Sequence, residues 1–127
     1  MPFLFSKHYT LQEARELLPS VREWLAQLEG LRARLQPMDE RLAKLMEGGH
    51  DQGGPLVNAV VRTIGECRVV LREFNSRQIQ VKDLDRGLVD FPSVREGKEV
   101  FLCWEKDEDD IGFWHDIESG FAGREKI

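Results

Sequence analysis

The sequence predicts an α+β fold: an antiparallel helical hairpin with a long, proline-kinked first arm, docked on a small antiparallel β-meander at the C-terminus. Three observations predict it. Apolar residues recur at helical spacing from Leu11 to Leu45 and again from Val57 to Phe74. The glycine-rich stretch from Gly48 to Gly54 separates these two runs. After Phe74 the period falls to two, and short alternating segments are punctuated by turn residues. The 127 residues fit one domain, with 10–77 as the hairpin and 78–127 as the sheet and tail.

Phe3 to His8 reads as a short strand, with Phe3 and Phe5 on one face. Thr10 and Glu13 stand at capping-box spacing and open the first helix. Its apolar positions are Leu11, Ala14, Leu18, Val21, Leu25, Leu28, Leu31, Leu35, Met38, Leu42 and Leu45, a coiled-coil-like seam with a single three-residue skip near Leu31. Pro19 and Pro37 interrupt it, because each removes a backbone donor and crowds the carbonyl four residues earlier. The prediction is a short first helix turning at Leu18, with Pro19 opening the main helix and Pro37 kinking or splitting it. The seam keeps its phase across both prolines, which favours kinks over breaks.

Pro55 is placed as the first residue of the second helix, whose seam is read as Val57, Val60, Ile64, Cys67, Leu71 and Phe74. Beyond it, Gln78 to Lys82 and Leu88 to Phe91 read as strands, the latter closed by Pro92. Glu99 to Trp104 and Ile111 to His115 follow, with Arg95–Lys98 as a turn.

Composition narrows the function classes. A net charge of −5 leaves no basic surface of the kind that displaces counterions from phosphates, so no nucleic-acid partner is expected. The acids concentrate at the end: residues 83–127 carry a balance of −7 and residues 1–82 one of +2. No apolar run approaches the roughly 20 residues that span a bilayer, and the first residues do not resemble a signal peptide, so no membrane partner is expected. Cys67 and Cys103 make no disulfide framework, and a reduced, cytoplasmic setting is expected.

Five residues form the candidate metal set: His115, Cys103, Asp90, Asp116 and Glu13. Imidazole, thiolate and carboxylate offer the lone pairs that zinc or iron takes, and Cys103 and His115 fall on adjacent strands of one meander. No short-spaced ligand pair accompanies them. The competing reading has His115 donating to a backbone carbonyl beside the aromatic residues, with Cys103 as a small buried hydrophobe. Asp83, Asp85 and Asp90 flank the turn at Gly87, where a hard cation competes with hydrogen bonding inside the turn. Arg124, behind Gly-Phe-Ala-Gly, is a candidate anion clamp or the partner of an acid that pins the tail. His50-Asp51 among glycines lacks the lysine and hydroxyl ending of a phosphate loop. No nucleophile motif is present, and no catalytic residue is assigned.

Tyr9-Thr10-Leu11-x-Glu13-Ala14, Gly87-Leu88-Val89-Asp90-Phe91-Pro92, Leu102-Cys103-Trp104, Trp114-His115 and Gly120-Phe121-Ala122-Gly123-Arg124 together resemble a family of small uncharacterised prokaryotic proteins known only as a domain of unknown function. The resemblance implies a helix-plus-sheet domain and no activity. Where such proteins often carry a glycine before the first strand, this chain has Asn75-Ser76-Arg77-Gln78.

Two functions follow as expectations. The first is a non-enzymatic interaction or assembly module. Its seam of 35 residues, Leu11 to Leu45, outruns the 18 from Val57 to Phe74, so the helices are expected to form a homodimer. The second is a small metal-binding protein with its site around His115 and Cys103.

Overall fold

Thr10 starts the first helix as its sequence requires. Its hydroxyl accepts the Glu13 N–H at 3.1 Å, and the Glu13 carboxylate accepts the Thr10 N–H at 2.9 Å. In the computed structural model, which describes residues 2–49 and 54–127, α1 then runs unbroken over Leu11–Glu47. Pro19 and Pro37 both lie inside it, so the expected turn at Leu18 and a separate main helix are corrected. An interior proline costs on the order of 3 kcal/mol. Ala14 and Leu18 before Pro19 and Val21 and Leu25 after it are buried in the same core, and that shared burial holds the axis together. The loop containing His50 and Asp51 lies outside the described residues.

α2 (Gly54–Asn75) returns antiparallel: Trp24 meets Phe74 edge-on at 5.3 Å, and Arg34 pairs with Glu66 further out. Its buried face is Val60, Thr63, Val70 and Phe74, with Cys67 half-buried. Val57, Ile64 and Leu71, assigned to the seam from spacing, are exposed instead. Val60, Cys67 and Phe74 keep their place, and the buried face is shifted from the expected seam by about half a residue, roughly 50°. Thr63 permits this, because its hydroxyl donates to the Ala59 carbonyl at 2.8 Å and leaves only its methyl to pack. No helix among the described residues is long and apolar enough to cross a membrane.

Three residues past the end of α2, Gln78 stands at φ +59°, the left-handed conformation a glycine would adopt more easily. Five strands follow, each paired with the next: β1 (Gln80–Asp83), β2 (Leu88–Arg95), β3 (Lys98–Glu105), β4 (Phe113–Asp116) and the two-residue β5 (Glu125–Lys126). Glu96 and Gly97, at φ +53° and +79°, form the two-residue turn that fixes Arg95 opposite Lys98. β2 does not stop at Pro92. The Pro92 carbonyl accepts Tyr9 N–H at 2.7 Å on the side where β1 has already ended, so the missing proline donor has no strand to serve.

The sheet has two different faces. Val89, Phe91, Leu102 and Trp104 face the helices and join Ala14, Leu18, Val21, Leu25 and Phe74 in the core. The α1 seam is buried as far as Leu31, with Trp24 and Arg34 meeting α2, and Leu35, Met38, Leu42 and Leu45 beyond it are only half-buried. Arg15 to Asp110, Lys106 to Glu29 and Arg32 to Asp85 pin the sheet loops to α1.

The outer face carries Asp90, Phe101, Cys103, Phe113 and His115. The chain ends cover it. The N-terminal segment is not a strand, contrary to its alternation; it is tied down by side chains. Glu99 accepts the N–H groups of Leu4 and Phe5 and lies 2.7 Å from His8 Nε2. Gln78 Oε1 accepts Ser6 and Lys7 N–H, while Phe5 packs edge-on against Phe101.

Burial pushes the Glu99 carboxyl up, but the bonds from His8, Leu4 and Phe5 outweigh it and hold the carboxyl below the ordinary range. A carboxylate whose pKa is depressed on folding contributes stability above its unfolded pKa, near 4.3, and loses it as pH falls through the folded value. Glu99→Gln should therefore cost on the order of 2 kcal/mol at neutral pH. The difference from wild type should close below the ordinary carboxylate range, as read by urea unfolding at several pH values. A difference independent of pH would remove Glu99 from this role.

Candidate metal centre

Asp90, Cys103 and His115 come from the middles of three consecutive strands. Asp90 stands opposite Cys103 across β2 and β3, and His115 stands opposite Phe101, two residues from Cys103 on the same pleat face. One donor atom from each lies within 4.8 Å of the other two. The Asp90 and His115 side chains are each 3% exposed and Cys103 is fully buried.

His115 is held at both nitrogens. Nδ1 lies 2.7 Å from the Asp116 carbonyl oxygen, which only accepts, so Nδ1 carries a proton. Nε2 is thereby aimed at Asp90 Oδ2, 3.0 Å away. Asp90 Oδ1 is buried and has no hydrogen-bond partner among the described residues. Burial raises the Asp90 pKa, and His115 partly offsets this. Burial, reinforced by Asp90, pushes the Cys103 thiol up to about 12, with Arg124 acting in the opposite direction. A thiol so placed is protonated, and His115 has no free nitrogen to serve it as a base, so the three groups are not a nucleophilic triad.

The donor set fits a transition metal. A thiol that a bound metal would deprotonate, an imidazole and a carboxylate converge, each on a strand. The hydrogen bond from His115 Nδ1 to a backbone carbonyl is the outer contact that orients metal-binding imidazoles. The unpartnered Oδ1 leaves Asp90 with an unused acceptor. The competing structural reading is also visible in that same bond from His115 to Asp116.

Two members of the predicted set are elsewhere. The Glu13 carboxylate is spent on the α1 cap, where hydrogen bonding by Thr10 lowers its pKa. Asp116 follows His115 directly, so the pleat turns its side chain to the opposite face, where it meets Lys98 at 3.1 Å. The cation reading at the Gly87 turn also separates: Asp83 accepts Arg86 N–H, Asp85 pairs with Arg32, and Asp90 is in the buried group. Arg124 pairs through Nη1 with Glu108 at 3.1 Å. Gln78 and Glu99, which anchor the cover of this face, were not singled out by the sequence, since nothing local marks a side chain that will accept main-chain N–H groups from some 70 to 95 residues away.

A family model described as an uncharacterised conserved protein, DUF2203, matches residues 7–127. The chain belongs to the DUF2203 family. No curated protein and no solved structure matches it. The case for the three convergent donors therefore rests on this chain's own geometry.

Proposed function

We propose that this DUF2203 protein binds a divalent transition metal, zinc or iron, through Asp90, Cys103 and His115. The observation that carries the reading is the convergence of three chemically different, buried donors within 4.8 Å, one of them retaining an unpartnered oxygen. Three protein donors leave zinc one coordination position short of four, the count of sites where the ion acts as a Lewis acid. The test is elemental analysis of the full chain purified without a nickel column, followed by zinc titration. Stoichiometric metal supports the reading. Zinc, iron, manganese and nickel all far below stoichiometric, with no uptake on titration, would end it.

A second reading, self-association, is favoured by one feature of α2. Val57, Val61, Ile64 and Leu71 form an exposed apolar stripe beside the buried face, and Val61 is 61% exposed. Sedimentation at micromolar concentration should then show a homodimer that Val61→Asp dissociates without unfolding. A wild-type chain that is purely monomeric removes this reading and leaves the metal reading untouched.

A further inference from the structure

Arg124 reaches the outer face of the sheet on the C-terminal tail. β5 pairs Lys126 with Phe113 and Glu125 with Trp114, and Ile127 N–H donates to the Gly112 carbonyl at 3.0 Å. The 3-10 turn Phe121–Gly123 then sets the guanidinium between two rings, 3.8 Å from the centre of Phe113 and 4.1 Å from that of Phe121. Glu108 fixes one nitrogen, Nη1. Phe113 is the cross-strand partner of Cys103, so both side chains stand on one face and the cation lies beside the thiol. Arg124 also acts to lower the Cys103 pKa, by hydrogen bonding and then by charge.

We propose that Arg124 is a positioning residue for the metal centre: its guanidinium donates an N–H to Cys103 Sγ when that sulfur is a thiolate, and so holds the ligand in place. The inference rests on the metal reading above. A neutral thiol is a weak acceptor and a thiolate a strong, charge-assisted one. The contact therefore strengthens when Cys103 gives up its proton to ligate, and it favours the loaded state over the empty one. Glu108 and the two rings supply the orientation, leaving the remaining guanidinium donors for the sulfur.

Cobalt(II) is the probe, because its thiolate charge-transfer band reports on the sulfur directly. The full chain is compared with Arg124→Met, Arg124→Lys and Glu108→Gln for cobalt affinity, by chelator competition, and for band position. Arg124→Met should bind about 10–100-fold more weakly, the usual effect of losing an outer-shell partner. Its band should move to longer wavelength, since a thiolate without a donor is more electron-rich. Arg124→Lys should recover part of both, and Glu108→Gln, which keeps the guanidinium, should keep the wild-type band. Weaker binding with an unmoved band would assign Arg124 to tail packing alone and overturn the proposal, as would unchanged affinity in Arg124→Met. No cobalt binding by the wild type would instead overturn the metal reading itself.

Discussion

His115→Ala should abolish the proposed metal binding and also destabilise the metal-free protein by about 3–5 kcal/mol. The first effect follows from deleting one of three donors. The second arises because Asp90 Oδ2 loses its contact with His115 Nε2, while Oδ1 is buried with no hydrogen-bond partner among the described residues. Truncating His115 leaves a carboxyl with a 3% exposed side chain facing an apolar hole beside Phe101. Removing both partners is the informative control. Asp90→Val combined with His115→Leu deletes the polar pair with only a small gain in volume, and should regain most of the lost stability. It should not regain metal. Equilibrium denaturation and metal content together separate the roles. A His115→Ala protein as stable as wild type would show that Asp90 is not buried against it; one that keeps its full metal complement would place the site elsewhere.

Features governed by near neighbours were legible in the sequence. The Thr10–Glu13 cap involves residues three apart, and the Glu96–Gly97 turn is set by two residues. The strands bearing Asp90, Cys103 and His115 are set off by turn residues on either side, so the α+β class followed, and the adjacency of the Cys103 and His115 strands with it. Features that depend on what lies across the fold were not legible. Whether Pro19 breaks α1 depends on whether Leu18 and Val21 share one core. Whether Pro92 ends β2 depends on which edge its nitrogen faces. The α2 face turned on a threonine hydroxyl finding a carbonyl one helical turn back. Asp116 is different: strand alternation already placed it on the face opposite His115, and applying the pleat would have excluded it. Glu13 was likewise marked by its own capping motif as already engaged.

The helix layer and the sheet meet through Trp104, and Trp104→Ala should cost about 3–5 kcal/mol. The indole is fully buried in the β3 core. Its Nε1 donates to the Glu108 carbonyl at 3.0 Å, and the Arg22 guanidinium lies 5.1 Å from its ring. One side chain therefore joins β3, the turn before β4 and α1. The same turn residue, Glu108, accepts Glu105 N–H and holds Arg124, so the damage should spread to the tail. Against a usual domain stability of 5–15 kcal/mol this is a large fraction. Trp104→Phe keeps most of the apolar volume and loses the indole donor, and should cost less. Because a single core includes Trp104, Phe74, Leu18 and Val89, helices and sheet should unfold in one transition in both proteins, with circular dichroism and tryptophan fluorescence coinciding. Two separate transitions in the wild type, or a Trp104→Ala loss below about 1 kcal/mol, would mean that the two layers do not depend on each other through this residue.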